Sequence, residues 1–181
     1  TDCSTLFSPK CLRLLVETME KDEKLSVVTG KQVVSEQDQY SGLEKQKSDS
    51  FLEMIYRSAQ CYDFESAFAA FMGAFALFGF LPVVPGPCGL YRWKYMKGDA
   101  LDWYFEIVNR PNEECGLVLS NLKIAEDRIL TYAAVLKTGK ETRMGLNPEA
   151  EFYFEAEVEL EQFVKQRRRW INGTFAGYLF L

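Results

Sequence analysis

Residues 151–170 read Glu-Phe-Tyr-Phe-Glu-Ala-Glu-Val-Glu-Leu-Glu-Gln-Phe-Val-Lys-Gln-Arg-Arg-Arg-Trp, and they change period in the middle. Phe152, Phe154, Ala156 and Val158 alternate with Glu151, Tyr153, Glu155 and Glu157, which is the two-residue repeat of a strand. From about Val158 the repeat becomes helical. Leu160, Phe163, Val164, Ile171, Phe175 and Tyr178 mark one apolar stripe, with Glu159 and Glu161 near the start and Lys165 to Arg169 further along, as the helix dipole favours. A strand passing directly into an amphipathic helix points to an α/β fold.

The rest of the chain extends this theme, without an internal repeat. A helix is expected from Glu126-Asp127, because Ile129, Leu130, Ala133, Ala134 and Leu136 follow at helical spacing and Gly139 ends it. Leu25 to Thr29 reads as a short buried strand ended by Gly30. Ser8-Pro9 can cap and open a helix carrying Cys11, Leu12, Leu15, Thr18 and Met19. Residues 35–50 are polar and read as a surface loop or a poorly packed helix.

Ala67 to Val84 is an uncharged run of 18 residues, at the lower limit for crossing a bilayer. As a perfect helix it would reach only about 27 Å, and Pro82 stops a helix before the run ends. The favoured reading is a central helix buried in protein that leads into a strand over Leu81 to Val84. Pro85-Gly86-Pro87 then forces a turn, and Cys88 to Trp93 can form the next strand.

Composition narrows the chemistry. The chain has 181 residues, 48% of them apolar, enough for a substantial core. Its net charge of −5 gives no positive field to attract nucleic acid. It contains no histidine, which excludes Ser-His-Asp and Cys-His nucleophiles and histidine-based metal sites. Proton transfer therefore falls to carboxylates, Lys, Tyr or Cys. The five cysteines are scattered without a CxxC pair, which suits a reducing compartment, and the Asn172-Gly173-Thr174 sequon would go unused on a cytosolic face.

Three clusters can carry chemistry. Asp2 would sit at the carboxyl edge of a sheet, as a ligand for Mg²⁺ or Mn²⁺ on a diphosphate or as a solvated loop residue. Glu126-Asp127-Arg128 places two carboxylates and a guanidinium at a helix start, where the dipole keeps carboxylates ionised. An ionised Asp127 there can accept a proton from a hydroxyl; an ordinary acidic cap has the same sequence. Gln166, Arg169 and Trp170 fall at i, i+3 and i+4, so an amide, a guanidinium fork and an indole share a helix face. That set suits a nucleotide sugar, and the same basic run suits an anionic membrane surface.

Taken together, these motifs resemble the processive inverting glycosyltransferases that polymerise sugars at membranes, and the chitin synthases most closely. Asp2-Cys-Ser-Thr5 resembles their metal-binding motif, Gln60-Cys-Tyr-Asp63-Phe64 their Gln-x-x-Glu-Tyr segment, and Pro85-Gly86 with Tyr91-Arg92 their acceptor-side turn. Glu126-Asp127-Arg128 resembles the catalytic-base motif and Gln166-Arg167-Arg168-Arg169-Trp170 the QRRRW signature.

The resemblance implies that Asp127 deprotonates the 4-hydroxyl of a growing β-1,4 chain and that Asp2 holds Mg²⁺ or Mn²⁺ on UDP. Glu126, Arg128, Pro85, Gly86 and the residues from Gln166 through Arg167, Arg168 and Arg169 to Trp170 would bind substrate. It implies the carboxyl-terminal half of a GT-A type catalytic domain over residues 1–157 and an interfacial helix opening a membrane-proximal segment over 158–181. The expected partners are a UDP-sugar donor, N-acetylglucosamine being the sugar, a polysaccharide acceptor, and membrane lipid through a longer parent protein. The catalytic domain is expected on the cytoplasmic side of the plasma membrane. A cellulose- or hyaluronan-type synthase and an inactive membrane-associated relative are the rivals.

Overall fold

In a computed structural model of the chain, residues 5–35, 50–139 and 141–180 are described. The central strand, β2 (Leu25–Val34), is buried from Leu25 through Gly30, so both of its faces are covered. It is flanked by β4 (Arg143–Phe154) and β3 (Leu90–Tyr91), and β1 (Leu6–Phe7) pairs with the far edge of β4, giving the order β1-β4-β2-β3. The β2–β4 pair is parallel and the other two are antiparallel.

Alternation along these strands feeds two cores. Val27 and Met144 face a core with Leu81, Val84, Met96 and Ala133. Val28 and Phe152 face the opposite side, where Cys11, Leu15 and Met19 of α1 (Cys11–Lys21) cover the sheet. Because parallel strands need a crossover, the long segment between β2 and β4 supplies the helices of the other face. These are α2 (Phe51–Ser66), α3 (Gly73–Leu77), α4 (Trp93–Met96), α5 (Asp99–Asn109), α6 (Leu117–Lys123) and α7 (Glu126–Leu136). After β4 comes α8 (Leu160–Phe180), and a third core joins Ile107, Leu122, Ile129, Tyr132 and Ala176.

The α/β reading holds, while several local expectations are corrected. The first helix starts at Cys11, whose N–H bonds to the Ser8 carbonyl, so Ser8 forms the preceding turn and not the cap. Gly30 does not end β2. It marks a register shift, with Gly30 opposite Asn147 and Lys31 opposite Glu151, and a Cβ there would collide with the Ala150 carbonyl oxygen. The predicted strand over 88–93 shrinks to Leu90–Tyr91. The strand read in 151–158 is the end of a longer one that begins at Arg143 and stops at Phe154. Most of the polar stretch 35–50 lies outside the described residues.

In the 67–84 run, a π-helical stretch over Ala67–Met72 continues α2 into α3, which ends at Leu77. It is not centrally buried: Met72 faces the core, whereas Leu77 and Phe78 are each 87% exposed. Leu81 and Val84 are buried but form no strand. Their N–H groups go to Met144 Sδ and Thr131 Oγ1, and the prolines at 82 and 85 offer a ladder no donor. No helix among the described residues is long and apolar enough to cross a membrane.

The helix α8 also turns the unexpected way. Most of its predicted apolar stripe points outward, with Leu160, Val164, Ile171, Phe175 and Tyr178 all more than half exposed and Phe163 stacked on Tyr56, while Gly173, Ala176 and Gly177 are buried. A Cβ on Gly173 would lie 2.5 Å from the Ala125 Cβ, and one on Gly177 would overlap the Tyr132 hydroxyl. The small-residue face lets α8 approach the α6–α7 corner closely, which larger side chains would prevent.

Candidate active site

Asp127 lies in the first turn of α7, half-buried beside an exposed Glu126. Its Oδ1 accepts the Arg128 N–H at 2.8 Å. Burial pushes its carboxyl above the usual aspartate range and Glu126 adds to that, while Arg128 and Arg169 pull it back. The expectation that the helix start would keep this group readily ionised is therefore corrected: loss of water outweighs the dipole and the nearby cations. A carboxylate raised in this way is a stronger proton acceptor once ionised.

Asp127 is enclosed by groups from other elements. The Tyr91 and Tyr104 phenols are both pushed up, by burial first and then by the Asp127 and Glu126 carboxylates, Tyr91 feeling Asp127 and Tyr104 feeling both. Thr131, one turn on from Asp127, donates to the Asp127 carbonyl at 2.8 Å and accepts the Val84 N–H at 2.8 Å. Since Val84 precedes Pro85-Gly86, that bond brings the predicted acceptor-side turn against α7. The turn itself closes with the Cys88 N–H on the Pro85 carbonyl at 3.1 Å.

Arg128 is turned toward α8, where its Nη2 donates to Thr174 Oγ1 at 2.7 Å, and Thr174 in turn donates to the Trp170 carbonyl. It therefore ties α7 to α8. Arg92, of the Tyr91-Arg92 pair, donates to the carbonyls of Leu25, Asp22 and Met19, closing the end of α1 onto β2.

On α8, Arg168 and Arg169 are exposed and Gln166, Arg167 and Trp170 are partly buried. Arg169 pulls electrostatically on Asp127, more weakly than Arg128 does. Arg167 does not join them. Its guanidinium lies 4.7 Å from the Trp170 ring centre and 5.1 Å from that of Phe163, and it is paired with Asp63. The indole face that the sequence assigned to a sugar is covered on that side by Arg167. The Gln166 Oε1 is buried without a hydrogen-bond partner.

Gln60 explains why α2 and α8 sit together. Its amide is fully buried and clamps the Glu157 peptide, donating to the carbonyl at 2.8 Å and accepting the N–H at 3.2 Å. Phe64, one turn on, packs edge-on against Phe154 and Trp170. Tyr91 enters the sequence reading only within the acceptor-side resemblance, and Tyr104 and Thr131 do not enter it as site residues. Thr131 has a local signal, its i+4 spacing from Asp127, whereas Tyr104 arrives only through folding.

Asp2 lies outside the described residues, and among those described no group of three or more metal-ligating side chains clusters. Two surface clefts, one beside Glu17 and Asn147 and one beside Phe68 and Arg143, contain none of the predicted site residues.

Comparison with known proteins bears on the same chemistry. Residues 1–181 match the chitin synthase-like glycosyltransferase domain. The chain is 31% identical over 123 residues to chitin synthase 1 of Phytophthora sojae (strain P6497), covering 68% of this chain and 14% of that protein. It is 35% identical over 107 residues to chitin synthase 2 of Rhizopus oligosporus, covering 55% and 12%. With chitin synthase 2 of Mycosarcoma maydis the identity is 34% over 106 residues, covering 57% and 10%. The chain thus spans a small part of the length of these relatives.

Proposed function

The chain belongs to the chitin synthase-like glycosyltransferase family, and we propose that it forms part of the catalytic domain of an enzyme adding N-acetylglucosamine from its UDP sugar to the nonreducing end of a β-1,4 chain. The observation that carries this reading is the meeting of the Asp127 turn and the Pro85-Gly86 segment through Thr131, from positions far apart in sequence, and the electrostatic pull of Arg169 on Asp127 is in keeping with it. Asp127 takes the proton from the attacking hydroxyl, and Arg169 supplies a guanidinium fork for the diphosphate. Arg128 acts mainly by holding α7 on α8.

Mg²⁺ or Mn²⁺ at Asp2 belongs to the same proposal and rests on the resemblance alone, so no step is drawn through it. The outward stripe of Val164, Ile171, Phe175 and Tyr178, next to Lys165 and Arg168, supports an interfacial helix resting on a membrane surface, and the cytoplasmic face of the plasma membrane belongs to the proposal through the resemblance alone.

The test is polymer synthesis by the whole protein that carries this chain, with UDP-N-acetylglucosamine and a divalent cation. Arg169→Lys should abolish or severely depress synthesis without changing membrane association, since Lys lacks the bidentate fork. Normal synthesis by that variant would overturn the role of Arg169, and preference for another UDP sugar would move the chain to a cellulose- or hyaluronan-type activity.

A further inference from the structure

Thr131 is completely buried, and its hydroxyl has one proton and two acceptor positions. Two of the three are used by different parts of the fold. The proton goes to the Asp127 carbonyl at 2.8 Å, and one acceptor position takes the Val84 N–H at 2.8 Å. The node joins the helix turn carrying Asp127 to the segment entering Pro85-Gly86. Val84 has no strand partner to turn to, because its segment is interrupted by Pro82 and Pro85.

We propose that Thr131 is a positioning residue, whose hydroxyl fixes the spacing between the Pro85-Gly86 turn and the backbone of Asp127. The inference rests on the reading of Asp127 as the base. A valine would fill the same volume and keep the packing with Val84, but would leave the buried Val84 N–H without its partner. The turn would then settle at a different distance from the carboxylate. Displacements on the scale of an ångström are costly when an acceptor hydroxyl must meet a base. The donor's diphosphate contacts, assigned to α8, do not pass through this node.

The experiment uses the whole protein that carries this chain, with polymer synthesis measured per donor-binding protein and donor binding measured by titration with UDP-N-acetylglucosamine. Thr131→Val should lower kcat by about tenfold or more with the donor KM within about twofold of wild type. Thr131→Ser keeps the hydroxyl and should restore most of the rate. A folded, donor-binding Thr131→Val enzyme with wild-type kcat would overturn the inference. So would Thr131→Ser being as slow as Thr131→Val, since the methyl group and not the hydroxyl would then matter.

If Thr131→Val does not fold, Thr131→Ala, which removes the same hydroxyl from a smaller side chain, should be about tenfold slower, and a wild-type rate there is the overturning result. Asp127→Asn is run in parallel. If it stays active, the base assignment fails; if it is inactive while the Thr131 variants behave as wild type, only the positioning role fails.

Discussion

Asp63 on α2 and Arg167 on α8, 104 residues apart, form a direct ion pair that lays the Arg167 guanidinium over the indole of Trp170. The pair joins two segments that sequence alone relates only by resemblance. It also separates the roles within the basic run, since Arg167 is used inside the fold, Arg169 acts on Asp127, and Arg168 is left to solvent.

The Asp63 side chain is 53% exposed and that of Arg167 22%, so water screens the pair. Asp63→Asn should therefore lower stability by at most about 1 kcal/mol, with a smaller effect at high salt. Trp170→Ala should cost more, about 2 kcal/mol, because the ring also packs edge-on with Phe64. Urea unfolding at two salt concentrations checks both, and a larger loss for Asp63→Asn would contradict this ordering.

Asp127 pulls stability and activity in opposite directions. Its folded-state carboxyl is raised, so between the unfolded and folded values the native state holds more protons and stability falls as pH rises through that window. Above it, the buried charge weighs against folding. Asp127→Asn should hence be at least as stable as wild type at neutral pH, and the difference should vanish in acid. Polymer synthesis should meanwhile fall by about 100-fold or more. Chemical denaturation across pH, alongside the activity assay, reads both effects; a clearly less stable Asp127→Asn protein would refute the burial argument.

Close approach at Gly173 gives a steric prediction. Gly173→Leu places its Cβ where Ala125 already stands and should destabilise the chain by about 1–3 kcal/mol. Phe175→Ser, on the outward face, should change stability little, about 0.5 kcal/mol. Equal thermal shifts for the two would mean that α8 packs by its large apolar side chains after all.

Thiol reactivity tests the packing of α1. Cys11 and Cys88 are buried in one core; burial raises both, Cys88 to about 12. Thiolate being the reactive form, iodoacetamide at pH 8 should label the exposed Cys61 in the native chain and reach Cys11 and Cys88 only after denaturation. Mass spectrometry of tryptic peptides distinguishes them, and native labelling of Cys88 at the Cys61 rate would show that this core is open.

The long repeats that depend on neighbours along the chain were legible before folding, whereas the Ser8 cap and the strand over Leu81 to Val84 were read there and do not form. The two-residue period before Val158 and the helical period after it announce β4 and α8. The apolar spacing from Ile129 to Leu136 announces α7, and Pro85-Gly86-Pro87 announces its turn. These signals survive folding because strand alternation and helical repeat are properties of the local backbone. Which face of each element counts was settled only by packing. Gly173 and Gly177 read as gaps in an amphipathic pattern, yet they let α8 approach the α6–α7 corner closely, so most of the larger apolar residues remain outside. Gly30 reads as a strand end, yet the approach of Ala150 makes it a bulge within a longer strand. Asp127 reads as a dipole-stabilised carboxylate, yet the burial that raises it comes from the packing around α7, including Tyr91 and Tyr104 from distant segments. Close approach and loss of water depend on what the rest of the chain brings to a residue, and no local repeat encodes that.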